Sequence, residues 1–482
     1  MRRGSIRRRS VRRRFARGRR ISRRPVRNRS LPRGLVPLRH RGFRLLASGQ
    51  FASNFGDAFY AVALPWYVLA EHGGTLLLGT VLVAYGVPRT VLLAAGGHAS
   101  DRFGPWTVMM ASDTVRAPAV GGLAVAAALG PARAAVLVPI AAVLGAGEGL
   151  FLPGSFAIVP ALLPDPDLQA GNALTTGGTQ AATLVGPALG GALVALVGSA
   201  CAFAVDAGTF VVSAMTLAGI RALKDPGAGK SPQLAMPPES ASGPAPEPAS
   251  EPSLGPALES VPEPRTAQSS QPTLRQLVRT EPVFRIMLLI TMAANLGLGG
   301  MGGVAIPSLA HGPLHTGAAG YGGLLAAFAA GGLAGTVIAA QAGRVRRPAV
   351  AGSVASVASA LFLALVPYLG GAIPAGLALA AAGLLNTFGN ILLITAFQRW
   401  APPQLLGRVT GVLMLAVFGL FPVSVAFAAL VVRGFGPTVY FPIAAAILAS
   451  AVLGGLTRRS WRDFGTQAPE PEPTTAESVA QA

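Results

Sequence analysis

Three isolated carboxylates interrupt long apolar stretches of this sequence, and these are the residues best suited to proton chemistry. They are Asp57, Glu148 and Asp206. An ionisable group inside a bilayer costs about 3 kcal/mol or more, so it faces the protein interior or an aqueous cavity. A carboxyl group removed from water is harder to ionise, which lets it exchange protons near neutral pH. We predict Asp57, near the middle of its apolar run, as the main proton-carrying or cation-sensing group. For Asp57 the alternative is structural hydrogen bonding. Glu148 and Asp206 are secondary candidates, and local capping or interfacial exposure is the alternative for each.

Two arginines accompany these carboxylates. Asp113 and Arg116 are three residues apart, so they share one face of a helix and are predicted to form a buried ion pair. We interpret this pair as a scaffold or latch. Arg89 also lies within an apolar run and needs a partner, for which Asp113 and Glu148 are the candidates.

A group of side-chain amides lies in the second half of the chain. Such groups can line a cavity and bind substrate, or they can form hydrogen bonds between helices. The candidates for substrate contact are Asn295, Asn386, Asn390 and Gln398.

The sequence carries no pattern typical of an enzyme or of a metal or cofactor site. Cys201 is the single cysteine, so neither an intrachain disulfide nor a cysteine-based metal site can form. We find no nucleophile pattern among Ser, His and Cys, and no phosphate-binding loop of the type G-x(4)-G-K. We therefore expect no cofactor, and an ion gradient rather than ATP as the energy source.

The elements that must position these residues are membrane-spanning helices. Apolar residues make up 51% of the chain and charged residues 12%, whereas soluble domains carry about 25% charged residues. About 20 apolar residues cross a hydrocarbon core of about 30 Å, and such runs must be helical because lipid cannot satisfy an open backbone. Twelve runs qualify, or eleven if 170–222 is a single span. They are 43–70, 76–97, 106–129, 134–152, 170–198, 199–222, 283–308, 316–342, 347–369, 372–397, 407–432 and 436–457.

The runs divide into two groups of six. We predict an all-α membrane protein with bundles at 43–222 and 283–457, and two pseudo-symmetric halves. Residues 223–282 are rich in Pro, Ser and Glu, cannot bury a core, and are predicted to be a cytoplasmic linker. Residues 458–482 are predicted to be a disordered cytoplasmic tail.

Residues 1–42 form an Arg-rich arm that contains about half of the 39 basic residues. We expect this arm to be disordered. Three interpretations compete: it binds anionic lipid head groups, it binds nucleic acid, or it is a non-native extension translated from upstream of the true start. Of the two binding partners, nucleic acid is the less favoured. The run at 12–15 partly imitates a twin-arginine signal, but further arginines follow it instead of a short apolar segment and cleavage site.

The distribution of basic residues between the apolar runs predicts the orientation. Cytoplasmic loops carry an excess of Lys and Arg, which places both termini and the linker in the cytoplasm. The predicted outer loops hold only Arg133 and Arg433. The predicted inner segments hold Arg102, Arg221, Lys224, Arg275, Arg279, Arg285, Arg344, Arg346, Arg347, Arg399, Arg408, Arg458, Arg459 and Arg462.

The segment after the second apolar run, residues 97–104, resembles the loop motif G-x-L-A-D-R-x-G-R-K of the major facilitator superfamily. Pro105 and Trp106 stand where the family has two basic residues. A weaker echo lies at residues 343–347. The resemblance implies a cytoplasmic latch formed by the matching residues, Gly97, Asp101, Arg102 and Gly104.

A second resemblance lies in the fifth run. Residues 186–191 resemble the G-x(3)-G-P-x(3)-G-G signature of drug–proton antiporters, although Ala182 replaces the leading glycine and the gap before the glycine pair is shorter. Small residues permit close helix packing and a proline bends a helix. The matching residues are Gly186, Pro187, Gly190 and Gly191.

Three longer segments narrow the resemblance to one branch. Residues 50–57, 111–117 and 398–409 are similar to the branch that holds macrolide-efflux pumps and the enterobactin-type siderophore exporter. This implies an exporter of antibiotics, siderophores or other amphipathic metabolites. We expect it to be a proton-coupled monomer in a bacterial inner membrane. An importer, a flippase for lipid-like substrates, or a non-transporting sensor or scaffold remain alternatives.

Overall fold

The computed structural model describes residues 33–223, 281–342, 345–400 and 403–466. Helices joined by short turns make up the described ranges, which contain no strand. A 3-10 helix, Arg33–Arg39, comes first. The long helices α1 to α12 are Arg41–Ala70, Gly74–Phe103, Pro105–Leu129, Ala134–Leu162, Asp165–Val197, Ser199–Leu223, Pro282–His311, Gly317–Gln341, Pro348–Leu365, Ala372–Trp400, Pro403–Phe435 and Pro437–Leu456, and a short helix α13 covers Arg459–Arg462.

Each predicted apolar run corresponds to one long helix of the described chain. Ten of these helices are long and apolar enough to cross a membrane by length and composition, and α1 and α3 are the two outside that set. The alternative of one span over 170–222 is wrong, because Gly198 separates α5 from α6 at a φ of 85°, in the left-handed region that favours glycine. The multi-span, all-α prediction agrees with the described helices, and the number of spans stays a prediction.

The two halves repeat one packing scheme. In the first half α1 packs on α5 and α6, α2 on α4, and α3 on α4 and α6. In the second half α7 packs on α11 and α12, α8 on α10, and α9 on α10 and α12, which is the same scheme moved by six helices. Between the halves, α5 packs on α8 and α2 packs on α11, again as equivalent pairs. The described chain therefore folds as two related six-helix bundles.

The buried core joins the halves at one end only. We define the near end as the end where α1 begins and the far end as the end where α1 finishes. One core cluster contains residues of both halves, for example Val68, Val194, Leu309 and Val432 in the far parts of their helices. At the near end each half has its own cluster, one around Phe43 and one around Phe284. The halves are thus closed against each other at the far end.

Two segments predicted as disordered are folded in part. The 3-10 helix at the end of the Arg-rich arm packs on α5, and His40 Nε2 lies 2.9 Å from Asp167 Oδ2. In the predicted tail, Trp461 is fully buried and donates from Nε1 to Ser353 Oγ at 3.0 Å. Each segment contains a few apolar residues that become buried. The prediction missed them because it used the composition averaged over the whole segment. The remaining parts of the arm, linker and tail lie outside the described residues.

Candidate functional site: a carboxylate-lined cavity between the halves

A cavity of about 340 Å³ lies between the two halves, on the near side of the shared core. Helices α1, α2, α3, α4 and α6 of the first half line it together with α7, α8 and α11 of the second. Its lining includes all three predicted proton-coupling candidates, Asp57, Glu148 and Asp206. The fold therefore brings together carboxylates that are far apart in the sequence.

Asp57 lies at the middle of α1 and is exposed to the cavity. Tyr60, Ala61 and Leu64 also line the cavity, so the lining stripe on α1 follows the three- and four-residue spacing of one helical face. Asp57 takes part in none of the three salt bridges found in the described ranges. It is therefore a cavity-lining carboxylate in the middle of an apolar helix, with no counter-charge in salt-bridge contact among the described residues.

Glu148 differs from Asp57 because it forms a salt bridge with an arginine. Arg89 Nη2 lies 3.0 Å from Glu148 Oε1, and the two side chains are 21% and 27% exposed. Gly149 permits this approach of α2 and α4, since a Cβ there would lie 2.5 Å from the Arg89 carbonyl oxygen. The Arg89 guanidinium also lies 5.2 Å from the centre of the Phe418 ring on α11. Glu148 is thus the partner of Arg89, and the alternative assignment to Asp113 is wrong.

We expect Glu148→Gln to slow efflux without abolishing it. The change removes one partner of a partly exposed pair, which leaves the Arg89 charge unpaired beside the cavity but still partly exposed. Efflux rate at matched membrane expression measures the effect, and Arg89→Gln/Glu148→Gln, which removes both charges, should recover part of it. A complete loss in Glu148→Gln alone would instead assign the coupling proton to Glu148.

Asp113 and Arg116 form the predicted ion pair. Arg116 Nη2 donates to Asp113 Oδ1 at 2.8 Å, and Ser213 Oγ donates to the other carboxylate oxygen at 2.6 Å. The two side chains are 0% and 4% exposed. The guanidinium also lies 4.2 Å from the centre of the Phe210 ring and 4.8 Å from that of Phe151. These contacts connect α3, α4 and α6, while Arg116 also borders the cavity.

Asp206 is the most enclosed of the three candidates, with 1% of its surface exposed. Thr209 Oγ1 donates to its Oδ1 at 3.4 Å, a long hydrogen bond. Gly56 allows α1 to pass this carboxylate, because any side chain at position 56 would collide with it. Asp206 therefore lines the cavity at the contact between α6 and α1.

The amides predicted to bind substrate are not part of the cavity lining. Asn295 Nδ2 donates to the Thr291 carbonyl oxygen of its own helix at 2.8 Å. Asn390 and Gln398 are exposed elsewhere on α10. Substrate contact by these four residues stays a prediction, with hydrogen bonding between helices as its alternative.

The antiporter-like segment of α5 packs tightly on α1 and α8 in the far part of α5. Gly186 lies against Ala58 of α1, and Gly190 lies against Phe59. A Cβ at Gly191 would lie 2.6 Å from the Ala318 carbonyl oxygen of α8, so the two halves touch through their backbones here. Tyr321, one turn further along α8, donates to the Gly302 carbonyl oxygen at 2.8 Å.

The latch-like segment is helical rather than a loop. Residues 97–103 form the last turns of α2, Gly104 turns the chain at a φ of 83°, and Pro105 begins α3. Asp101 and Arg102 are exposed and belong to none of the salt bridges of the described residues. Asp101 therefore lies in the last turn of α2, just before the chain turns into α3. The echo at residues 343–347 lies partly outside the described ranges.

Two features of the cavity were not predicted from the sequence. They are its aromatic lining and the restriction of intramembrane carboxylates to the first half. Tyr60, Tyr85, Phe210, Tyr321 and Phe421 border the cavity. The spacing of Tyr60 from Asp57 was the available signal for the first of them. No Asp or Glu occurs from residue 282 to residue 462, so every intramembrane carboxylate belongs to the first half.

A glycine-rich interruption of α7 forms the opposite wall. Met301–Ala305 adopts a π-helical turn, and Gly302 and Gly303 within it border the cavity. Such turns are rare and recur at functional sites. Without side chains, these glycines contribute only backbone to the cavity wall.

Comparison with known sequences places these features in context. A family model described as Major Facilitator Superfamily matches residues 46–426. The multidrug efflux pump Tap of Mycobacterium tuberculosis (strain ATCC 25618 / H37Rv) is 33% identical over 188 residues, which are 38% of this chain and 44% of that protein. The Tap pump of Mycolicibacterium fortuitum is 28% identical over 183 residues, 37% of this chain and 44% of that protein. The matches span less than half the length of these curated relatives.

Solved structures share the fold over most of the chain. A peptide transporter POT in complex with sulfate has a TM-score of 0.60 at 15% identity, covering 90% of this chain and 100% of that one. The nucleoside transporter NupG has a TM-score of 0.60 at 11% identity, covering 86% and 98%. At these identities the likeness concerns the fold alone.

Proposed function

The chain belongs to the Major Facilitator Superfamily, and from this premise we propose that it exports amphipathic small molecules in exchange for protons. Its relatives and structural neighbours are transporters and not enzymes, and multidrug efflux pumps are among the relatives. The observation that carries the proposal is the cavity carboxylate Asp57, exposed at the middle of a membrane helix and outside every described salt bridge.

The charges around the cavity single out two carboxylates for coupling. Arg89 offsets the charge of Glu148, and Asp113 offsets that of Arg116. Asp57 and Asp206 have no such partner among the described residues. An uncompensated carboxylate in the cavity binds either a proton or a cationic group. It does not bind both strongly, because protonation removes the negative charge that attracts the cation. Competition for this charge would couple export to proton entry.

The lining also favours a class of substrate. Aromatic rings of Tyr60, Tyr85, Phe210 and Phe421 offer apolar faces beside the Asp57 carboxylate. A basic amphipathic molecule would place its amine at Asp57 and its apolar body against these rings. Antibiotics and secondary metabolites with a protonated amine fit this description, whereas a strongly anionic molecule does not.

The closed far end fits the inward-facing state of an alternating-access cycle. Under the proposed orientation, with both termini in the cytoplasm of a bacterial cell, the near end opens to the cytoplasm. Substrate would enter there or from the inner leaflet, and rocking of the halves about the α2–α11 and α5–α8 contacts would open the far end. The backbone contact at Gly191 would then separate.

The test is efflux from a pump-deficient bacterial host loaded with a panel of dyes and antibiotics. We expect cells with the protein to lose basic amphipathic compounds faster than control cells, and a protonophore should remove the difference. Anionic compounds of similar size should be retained equally by both strains. Protein-dependent accumulation would identify an importer, and efflux that survives the protonophore would exclude proton coupling.

A further inference from the structure

A second cavity of about 980 Å³ lies outside the transport pathway, between α7, α11 and α12. We call it the lateral groove. Its lining shares no residue with the central cavity. Leu420 and Val423 of α11 line the groove while Phe421 lines the central cavity, so one helix separates the two. Val423 is 53% exposed on this outer face, which in a membrane meets lipid.

The wall of the lateral groove along α7 is apolar and has the depth of one leaflet. Leu289 and Met292 are 61% and 39% exposed there, and Leu296 closes the deep end. From Arg285 to Leu296 the helix rises about 16 Å. Half of a hydrocarbon core of about 30 Å is about 15 Å. The groove therefore matches the acyl region of a lipid from the near-end leaflet.

The mouth of the groove is basic. Arg285 and Arg458 line it at the near end, both exposed, with Ser460 beside them. The carboxylates nearest to them in the chain are Glu281 and Asp463, and neither forms a salt bridge with these arginines among the described residues. Because no carboxylate occurs between residues 282 and 462, the positive field at this mouth is not compensated by the surrounding helices.

We propose that the lateral groove is a binding site for an anionic phospholipid of the near-end leaflet. The head-group phosphate would lie between Arg285 and Arg458, and an acyl chain would lie along Leu289 and Met292. Arginine forms charge-assisted hydrogen bonds with phosphate, and basic pockets between membrane helices suit anionic head groups. The bound lipid would contact the outer face of α11, whose other face borders the transport cavity.

The equivalent groove of the first half lacks this combination. The Phe-Arg pair that begins α7 also begins α1, so Arg44 occupies the place of Arg285. The groove beside Arg44, between α1 and α5, contains apolar and polar side chains but no second arginine. The first-half groove therefore has one arginine where the lateral groove has two.

The test uses the full-length protein, purified with phosphatidylglycerol and phosphatidylcholine of identical acyl chains, and counts the retained lipids by native mass spectrometry. We expect preferential retention of phosphatidylglycerol. Arg285→Gln or Arg458→Gln should reduce the preference about fivefold, and both together about thirtyfold. Leu289→Trp, which fills the acyl region and keeps both charges, should reduce retention of both lipids. Thermal melting of each variant reports whether it is folded.

The matched control is Arg346→Gln/Arg433→Gln, which removes the same charge from exposed positions outside the groove. It should retain the wild-type preference. An equal loss of preference in this control would overturn the site, as would unchanged retention in Leu289→Trp. Displacement of the lipid by equimolar glycerol phosphate would also overturn it, because the site would then bind a free anion.

Discussion

Replacing Asp57 by asparagine is expected to reduce proton-driven efflux to the level of cells without the protein. Asparagine has nearly the same shape and can still form hydrogen bonds, but it can neither carry a proton nor balance a cation. Asp57 is the cavity carboxylate that is both exposed and outside every salt bridge of the described chain. The measurement is the initial rate of dye efflux in energised cells, at matched membrane expression.

Two comparisons separate coupling from damage to the fold. Asp463→Asn makes the same chemical change at an exposed carboxylate near the end of the described chain, and efflux should be unaffected. Movement of a neutral substrate down its own gradient through Asp57→Asn should persist in protonophore-treated cells, since rocking of the halves does not require this charge. Persistence of downhill movement with loss of uphill efflux would identify Asp57 as the coupling group.

Full uphill efflux by Asp57→Asn would remove the central element of the proposed mechanism. The coupling role would then pass to Asp206, the other cavity carboxylate without an ionic partner in the described ranges, or to the paired Glu148. The enclosure of Asp206 behind α1 would require a change of packing at Gly56 for proton access. Asp206→Asn, measured in the same assay, decides between the two carboxylates.

The fold could be predicted largely from the sequence, because lipid imposes strong constraints on it. Runs of about 20 apolar residues must be helices, and each predicted run does coincide with a helix. In α4 the helix continues through Pro153 and Pro160, beyond the predicted 134–152. The Asp113–Arg116 pair followed from helical spacing. Both inferences depend on local periodicity or on the cost of transfer into lipid, which the sequence encodes directly.

The cavity could be predicted only in part, because it depends on how helices rotate against each other. The predicted carboxylates do line it, since the bilayer forces such groups inward. The cost of burying an amide is smaller and can be met within its own helix, as Asn295 does with Thr291. Tyr321 borders the cavity because close α5–α8 contact at Gly191 fixes the rotation of α8. No pattern within either helix alone contains that information.

The repeat itself has a functional meaning, because the two halves share packing but not chemistry. Asn54, Gly56 and Asp57 of α1 correspond to Asn295, Gly297 and Leu298 of α7, counted from the Phe-Arg pair that begins each helix. Gly297 packs on the backbone of α12 at Ala444, and Gly56 packs on side chains of α6. The packing glycine is thus kept while the carboxylate is replaced. In our proposal the first half therefore carries the proton, and the second half supplies an uncharged wall that moves against it.

Replacing Arg116 by methionine is expected to lower the free energy of unfolding by about 3–5 kcal/mol, because the buried Asp113 carboxylate would lose its counter-charge. Ser213 would remain as one hydrogen-bond donor to a carboxylate that is 0% exposed. Lower yield and an earlier thermal transition of the detergent-purified protein measure this loss. The double variant Asp113→Asn/Arg116→Met removes both charges and should recover most of the stability.

This comparison separates the two roles open to Arg116, which also borders the transport cavity. If Arg116 serves as scaffold, stability falls in the single variant, returns in the double variant, and efflux returns with it. If Arg116 acts on substrate, the double variant is stable but remains inactive. A single variant that melts like wild type would contradict the scaffold role outright. Since α3, α4 and α6 meet at this guanidinium through Asp113, Phe151 and Phe210, we expect the first outcome.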